Sequence, residues 1–176
     1  MNALLIGNSD GIGLAMTRRL LAGGWEVTGI SRSPSPVNGR GYGHHVSDVA
    51  SDEYDTLLQD ITTNSAADLC IYLAGTGELL DPRDMSGEAR IFDVNLTGMV
   101  RTCAAVIPRM VSRGSGHFIG ISSLADELLS AEAPSYHASK AGFSSYLESL
   151  SMALAGTGVS VTNIRFGFVD SKMAKG

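Results

Sequence analysis

Residues 3–13 read ALLIGNSDGIG, a run of four apolar residues, Ala3 to Ile6, leading directly into Gly7, Gly11 and Gly13. A short unbroken apolar run suits a strand buried on both faces of a parallel sheet. The next stretch, GIGLAMTRRLL from Gly11 to Leu21, places Ile12, Ala15, Met16, Leu20 and Leu21 near helical spacing, and Gly23 and Gly24 stop it. Strand, glycine-rich turn and helix in that order open an α/β unit.

The same reading extends along the chain. Trp25 to Ile30 is a second strand, and Ser31 to Gly43, rich in Ser, Pro, Gly and Asn, is a loop. A short strand around Tyr42 to Val46 leads to a helix through Ile61, with Ser51 placed to cap it and Asp52 and Glu53 near its positive end. Asp68 to Ala74 is a strand, and Arg90 to Met110 a long helix with a polar interruption at Asn95 and Gly98. Phe118 to Ile121, Tyr136 to Ala155 and Ser160 to Phe166 are strand, helix and strand. This alternation predicts one α/β domain over residues 1–176, a doubly wound parallel sheet with helices on both faces in a three-layer sandwich.

Composition narrows the partners. The chain has 13 Lys and Arg against 18 Asp and Glu, a net charge of -5, with no basic cluster. Nucleic acid and an anionic membrane surface are therefore not expected as main partners. There is no basic n-region before an apolar run, and no apolar stretch of the length a membrane span needs, so a cytoplasmic protein is expected. Cys70 and Cys103 lie in apolar segments and read as buried free thiols, with a disulfide as the lesser alternative. The 21 glycines are about 12% of the chain against a usual ~7%, which directs attention to where they stand.

Gly7, Gly11 and Gly13 stand between the first strand and the first helix, spaced G-x-x-x-G-x-G. Small residues there let the chain turn tightly and bring backbone N–H groups and a helix N-terminus against a pyrophosphate, as in Rossmann-like folds. Ser9, Asp10 and Ile12 complete that candidate turn; a tight turn without a ligand is the plainer reading. In such folds a carboxylate at the end of the second strand accepts from the ribose hydroxyls of NAD. Here the position reads Ser31-Arg32, with no acid, so NADP is favoured over NAD, Arg32 pairing with the 2'-phosphate. A solvated loop arginine is the alternative. Asp48 and Val49 follow the third strand, where the Asp48 carboxylate either accepts from the adenine amino group or serves the turn. The Ala74-Gly75 backbone ends the fourth strand and can approach the ribose.

The reacting groups are read from YHASK, residues 136–140. Tyr136 and Lys140 are one turn apart, so the phenol and the ammonium share a helical face and the cation favours the phenolate. That makes Tyr136 an acid for carbonyl reduction or a base for alcohol oxidation. Ser123 ends the preceding strand in IGISS and is placed to hold a carbonyl oxygen. Alone, a Tyr–Lys pair at this spacing is more readily a solvated surface pair.

With the glycine turn, Ser123 thirteen positions before Tyr136, Lys140, and Asn95 within DVNLTG, the sequence resembles the short-chain dehydrogenase/reductase family along essentially its whole length. The resemblance implies an NADP-dependent oxidoreductase acting on a carbonyl or secondary alcohol. It assigns Tyr136 as proton donor or acceptor and Lys140 as its cationic partner, bonded also to the nicotinamide ribose. Ser123 would orient the substrate oxygen, and Asn95, in a kinked helix, would hold a water that links Lys140 to solvent. Gly167, Val169 and Ser171 fall where the family contacts the nicotinamide end. The helices Arg90 to Met110 and Tyr136 to Ala155, with small residues Ala138, Ala141, Gly142 and Ser145, would pair two copies as a homodimer or build a homotetramer. Packing against the chain's own sheet is the plainer role for those small residues.

The sequence departs from the family pattern at Leu73, where N-A-G reads LAG, at Ile6 in place of a threonine, and at Phe166, where a proline stands in the family. The family continues beyond FVDSKM into a substrate-covering lobe and a further strand, so a C-terminally incomplete domain is expected. The competing functions are an NADP-binding sensor or scaffold without turnover and a purely structural domain. The latter does not account for the glycine turn, Ser123, Tyr136 and Lys140 together. No metal site is expected.

Overall fold

A computed structural model describes residues 1–167 of the 176. Six strands form one sheet: β1 (Asn2–Ile6), β2 (Glu26–Ser31), β3 (Tyr42–Val46), β4 (Leu69–Tyr72), β5 (Gly116–Ser123) and β6 (Val159–Phe166). All pairs are parallel, in the order β3-β2-β1-β4-β5-β6. Parallel neighbours require crossovers, supplied by α1 (Gly11–Ala22), α2 (Glu53–Asn64), α3 (Glu88–Phe92), α4 (Gly98–Arg113) and α5 (Pro134–Ala153). The expected doubly wound three-layer sandwich is therefore present.

The central strands β1 and β4 read as apolar runs because both faces are covered. On one face α2, α4 and α5 enclose Leu4, Ile6, Ile30, Tyr72, Phe118, Phe143 and Leu147. On the other, α1 packs Met16 and Leu20 against Ala3, Leu5, Val27 and Ile71. Cys70 and Cys103 are free and buried; burial pushes the Cys103 thiol up to about 12, so neither is a reactive thiolate.

Three of the differences from the sequence expectation have a clear local reason. α5 opens at Pro134 rather than Tyr136, because proline suits the first helical position, where its missing N–H has no partner to lose. The helix expected over 90–110 is three pieces: α3, a π-helical turn at Asp93–Thr97 and α4. The break falls at Asn95 and Gly98, where the polar interruption stood. A Cβ on Gly98 would lie 2.5 Å from the Tyr72 hydroxyl and 3.0 Å from Val49, so the helix passes too close to the sheet for a larger residue. Ser51 does not cap α2. The chain turns at Asp48–Ser51, Ser51 N–H donating to Asp48 O at 3.0 Å, and the helix begins at Glu53 without a side-chain cap.

Candidate active site

The strand order reverses direction between β1 and β4, and in open α/β sheets the ligand crevice lies at that point, beyond the carboxyl ends of the strands. The glycine turn is there. Gly7 N–H donates to Ile30 O at 2.7 Å and Leu73 N–H to Ile6 O at 2.8 Å, fastening the turn between β2 and β4. Gly7 has φ +89°, and a Cβ on it would sit 2.6 Å from Ala74 N, so Gly7 and Ala74 touch backbone to backbone. A Cβ on Gly13 would sit 2.1 Å from Gly7 O. The turn therefore folds onto itself and delivers Ser9, Asp10, Gly11 and Ile12 to the start of α1, whose positive end faces the crevice. Gly13→Ala is expected to lower stability by about 1–3 kcal/mol, because only backbone can yield. Denaturant unfolding and a cofactor titration read the loss of stability and of phosphate binding together.

At the corner that follows β2, Arg32 is exposed and makes no hydrogen bond or ion pair among the described residues. Ser31 is buried and turned inward, its hydroxyl bonded to Ser33 O at 3.0 Å and to His44 Nε2 at 3.2 Å. Asp48 Oδ1 accepts from Ala50 N–H at 2.9 Å and Oδ2 from Arg90. Burial works to raise the Asp48 carboxyl, but the Ala50 N–H, Arg90 and Arg32 outweigh it and hold its pKa below the ordinary aspartate value. Asp48 is thus a carboxylate with a structural post already filled. Val49 is buried beneath α4, its carbonyl accepting from Arg101 at 3.0 Å.

Asn95 joins the segment after β4 to α5. Its Nδ2 donates to Thr76 O and Ser139 Oγ, both at 2.9 Å, and its Oδ1 accepts from Thr76 N–H at 2.8 Å. The π turn therefore clamps the segment after β4 to α5, and the Asn95 amide itself is spent on protein partners. Tyr136 is half-buried, its ring against the backbone of Gly77, where a Cβ would lie 2.8 Å from Cδ2. Lys140 lies one turn further along, with Nζ 6.0 Å from the Tyr136 ring centroid, donating to Ile121 O at 3.0 Å. Burial pulls the Lys140 ammonium down to about 8, with Asp126 opposing. Ser123 ends β5, and its Oγ accepts from Ala125 N–H at 3.2 Å, leaving its hydroxyl proton for another acceptor.

The structure thus brings Tyr136, Lys140 and Asn95 onto one framework of β5, α5 and the π turn, with Gly7 and Ala74 on the adjacent strand ends. Gly75 lies between Ala74 and Thr76, and Gly167 is the last described residue, its position for a Cβ 3.6 Å from Leu124. Val169 and Ser171 lie outside the described residues. Gly142 packs against Leu96 of the π turn, whereas Ala138 and Ser145 are exposed. Among the described residues no group of His, Cys, Asp and Glu is placed to hold a metal, and no helix is long and apolar enough to cross a membrane.

Two networks carry no sequence motif. Buried Asn8 donates to Thr17 Oγ1 at 3.1 Å and to the Tyr42 hydroxyl at 2.8 Å; Tyr42 meets His44 Nδ1 at 3.1 Å, and His44 reaches Ser31. This chain of bonds ties the glycine turn to the Ser31-Arg32 corner. It needs Gly29, where a Cβ would lie 2.1 Å from the Asn8 amide. The second network surrounds Asp126, beyond Ser123, where Arg165 meets three carboxylates.

A parallel sheet of this order, a glycine turn at its crossover point and a Tyr–Lys helix beside a strand-end serine define an oxidoreductase that uses a nicotinamide dinucleotide. The comparisons with known proteins agree. The short chain dehydrogenase family model matches residues 1–176. The chain is 44% identical over 108 residues to an uncharacterized oxidoreductase of Myxococcus xanthus, a match covering 60% of this chain and 43% of that protein. It is 31% identical to a 3-oxoacyl-[acyl-carrier-protein] reductase of Vibrio harveyi over 98% of this chain and 75% of that one. Serine dehydrogenase from Escherichia coli superposes with a TM-score of 0.86 at 27% identity, over 96% of this chain and 83% of that one. The chain belongs to the short-chain dehydrogenase family of NAD(P)-dependent oxidoreductases.

Proposed function

We infer that the chain interconverts a carbonyl compound and the corresponding secondary alcohol with NADP(H), with Tyr136 as acid and base. The observation that carries this reading is the placement of Tyr136 and Lys140 on α5 against the end of β5, beside the segment that the glycine turn touches. The residues fit a dinucleotide phosphate: the Gly7–Gly13 turn and the start of α1 take the pyrophosphate, and the Ala74–Gly75 backbone and Lys140 take the nicotinamide ribose. Arg32, exposed and without a hydrogen bond or ion pair among the described residues, takes the 2'-phosphate, and Asp48 and Val49 border the adenine.

When bound, the nicotinamide supplies the hydride in reduction and accepts it in oxidation. In reduction Ser123 donates a hydrogen bond to the substrate oxygen, and Tyr136 gives its phenolic proton to that oxygen as negative charge builds on it. The Lys140 ammonium stabilises the resulting phenolate. The proton is replaced through Lys140 and a water held near Asn95; oxidation reverses each step. The Vibrio harveyi relative, by its name a reductase of a 3-oxoacyl group, supports a carbonyl as the substrate. Exposed Ala104, Ala138, Ser145 and Met152 support pairing of two copies along α4 and α5.

Arg32 makes the cofactor choice testable. NADPH is expected to bind at least tenfold more tightly than NADH, and Arg32→Ala to remove most of that difference by weakening NADPH alone. Fluorescence titration with both cofactors reads it; equal affinities in the parent protein rule out the assignment to NADP.

A further inference from the structure

The turn that follows Ser123 holds a buried acid to which the Ser–Tyr–Lys arrangement gives no role. Asp126 lies in the 3-10 turn Leu124–Glu127, with its side chain 1% exposed. Its Oδ2 accepts from Arg165 Nε of β6 at 2.8 Å, from Ser122 Oγ of β5 at 3.4 Å and from Ser144 Oγ of α5. Arg165 is shared, its other nitrogens meeting Glu127 and Glu148 at 2.7 Å each. Asp126 Oδ1 is buried with no hydrogen-bond partner among the described residues.

A buried carboxylate needs compensating charge, and one arginine divided among three acids supplies only part of it. Lys140 is the buried cation of this region, whereas Arg165 is exposed. Lys140 and Ser144 are neighbours one turn apart on α5, and they dock on consecutive residues of β5. Lys140 Nζ donates to Ile121 O, and the Ser144 hydroxyl meets Ser122 Oγ at 2.8 Å while also bonding Asp126. Lys140 and Asp126 share no hydrogen bond or ion pair among the described residues, so the acid acts on the ammonium through its field, across the Ser122 and Ser144 hydroxyls.

We propose that Asp126 is a positioning residue for the acid–base pair, its buried charge holding Lys140 protonated at the end of β5 while its hydrogen bonds set the turn that carries Ser123. The role rests on the reading of Tyr136 and Lys140 given above. Other groups do not duplicate it. From α3, Glu88 is engaged by the Ser135 hydroxyl; from the π turn the neutral Asn95 faces Ser139. From β6, Arg165 bears on Asp126, and within α5 the Tyr136 and Phe143 rings lie 6.0 and 5.0 Å from Nζ. Asp126 is the anion that opposes the downward pull of burial on Lys140.

The chain has three lysines, Lys140, Lys172 and Lys175, so the Lys140 titration can be followed by NMR on lysine-labelled protein without a substrate. In Asp126→Asn the Lys140 midpoint is expected to fall by about one pH unit, and the alkaline limb of carbonyl reduction to move the same way. Asp126→Ser, which leaves room for water, should give the same fall if the asparagine variant does not fold. Asp126→Glu, which keeps the charge, should restore the midpoint, and Ser144→Ala, which removes a hydroxyl contact and no charge, should leave it in place. An unmoved Lys140 midpoint in Asp126→Asn or Asp126→Ser overturns the proposal. Absence of NADP(H)-dependent turnover in the parent would overturn the proposed activity instead, and the lysine titration would still decide the role of Asp126.

Discussion

Lys140→Met is expected to make the folded chain more stable at neutral pH and to disable carbonyl reduction. Burial holds the Lys140 ammonium at about 8 against an ordinary 10.5. Below pH 8 both folded and unfolded chains carry this proton, so the full penalty of burying the cation is present, about 3 kcal/mol by linkage. Between 8 and 10.5 the folded chain sheds the proton while the unfolded chain keeps it, and the parent gains stability as pH rises. The stability advantage of Lys140→Met should therefore be largest below pH 8, about 2–3 kcal/mol, and shrink towards pH 10.5. Denaturant unfolding at a series of pH values checks both size and slope; an advantage that grows with pH contradicts the burial of a charged lysine. The same substitution removes the cation beside Tyr136. Nζ lies 6.0 Å from the centre of the Tyr136 ring, and unit charges at a separation of that order attract by about 3 kcal/mol at an effective dielectric near 20, so reduction should slow by about a hundredfold.

The second large effect is expected from Tyr136→Phe, with a rate lower by about 10² to 10⁴ and NADPH affinity changed by less than about twofold. The ring keeps its place against Gly77, and the residues proposed to hold the phosphates and adenosine lie on other elements. The loss should appear in kcat, because the proton reaches the substrate oxygen only as the carbon–hydrogen bond forms. Steady-state kinetics beside a cofactor titration separates this from a folding defect, which would lower both together.

The central strands were legible because a strand buried on both faces must be apolar, as β1 is from Ala3 to Ile6 and β4 along its length. The break in the helix over 90–110 was legible too, since Asn95 and Gly98 interrupt an otherwise periodic apolar face. The partners of Asn95 were not. They lie 19 and 44 residues away, at Thr76 and Ser139, and only the crossover geometry brings them together. Asp126 was hidden for a similar reason. No spacing in LADELLSAEAPS marks the acid as buried, and its arginine stands on β6. Asn8 lies in the glycine turn, and no pattern there shows that its amide bridges α1 to β3 in space that Gly29 leaves open. Local pattern reports which face of an element is apolar; it carries little about which polar groups meet across the sheet.

In the proposed reaction Tyr136 transfers the proton that accompanies hydride transfer from NADPH to a carbonyl. The most direct test of that step is a single turnover of parent protein loaded with equimolar NADPH and mixed with a panel of aldehydes and ketones, followed by loss of nicotinamide absorbance. The parent is predicted to oxidise the bound NADPH with at least one carbonyl and to release one equivalent of alcohol, while Tyr136→Phe binds NADPH and leaves it intact. NADPH that binds and survives every carbonyl, or that Tyr136→Phe consumes at the parent's rate, would contradict the account.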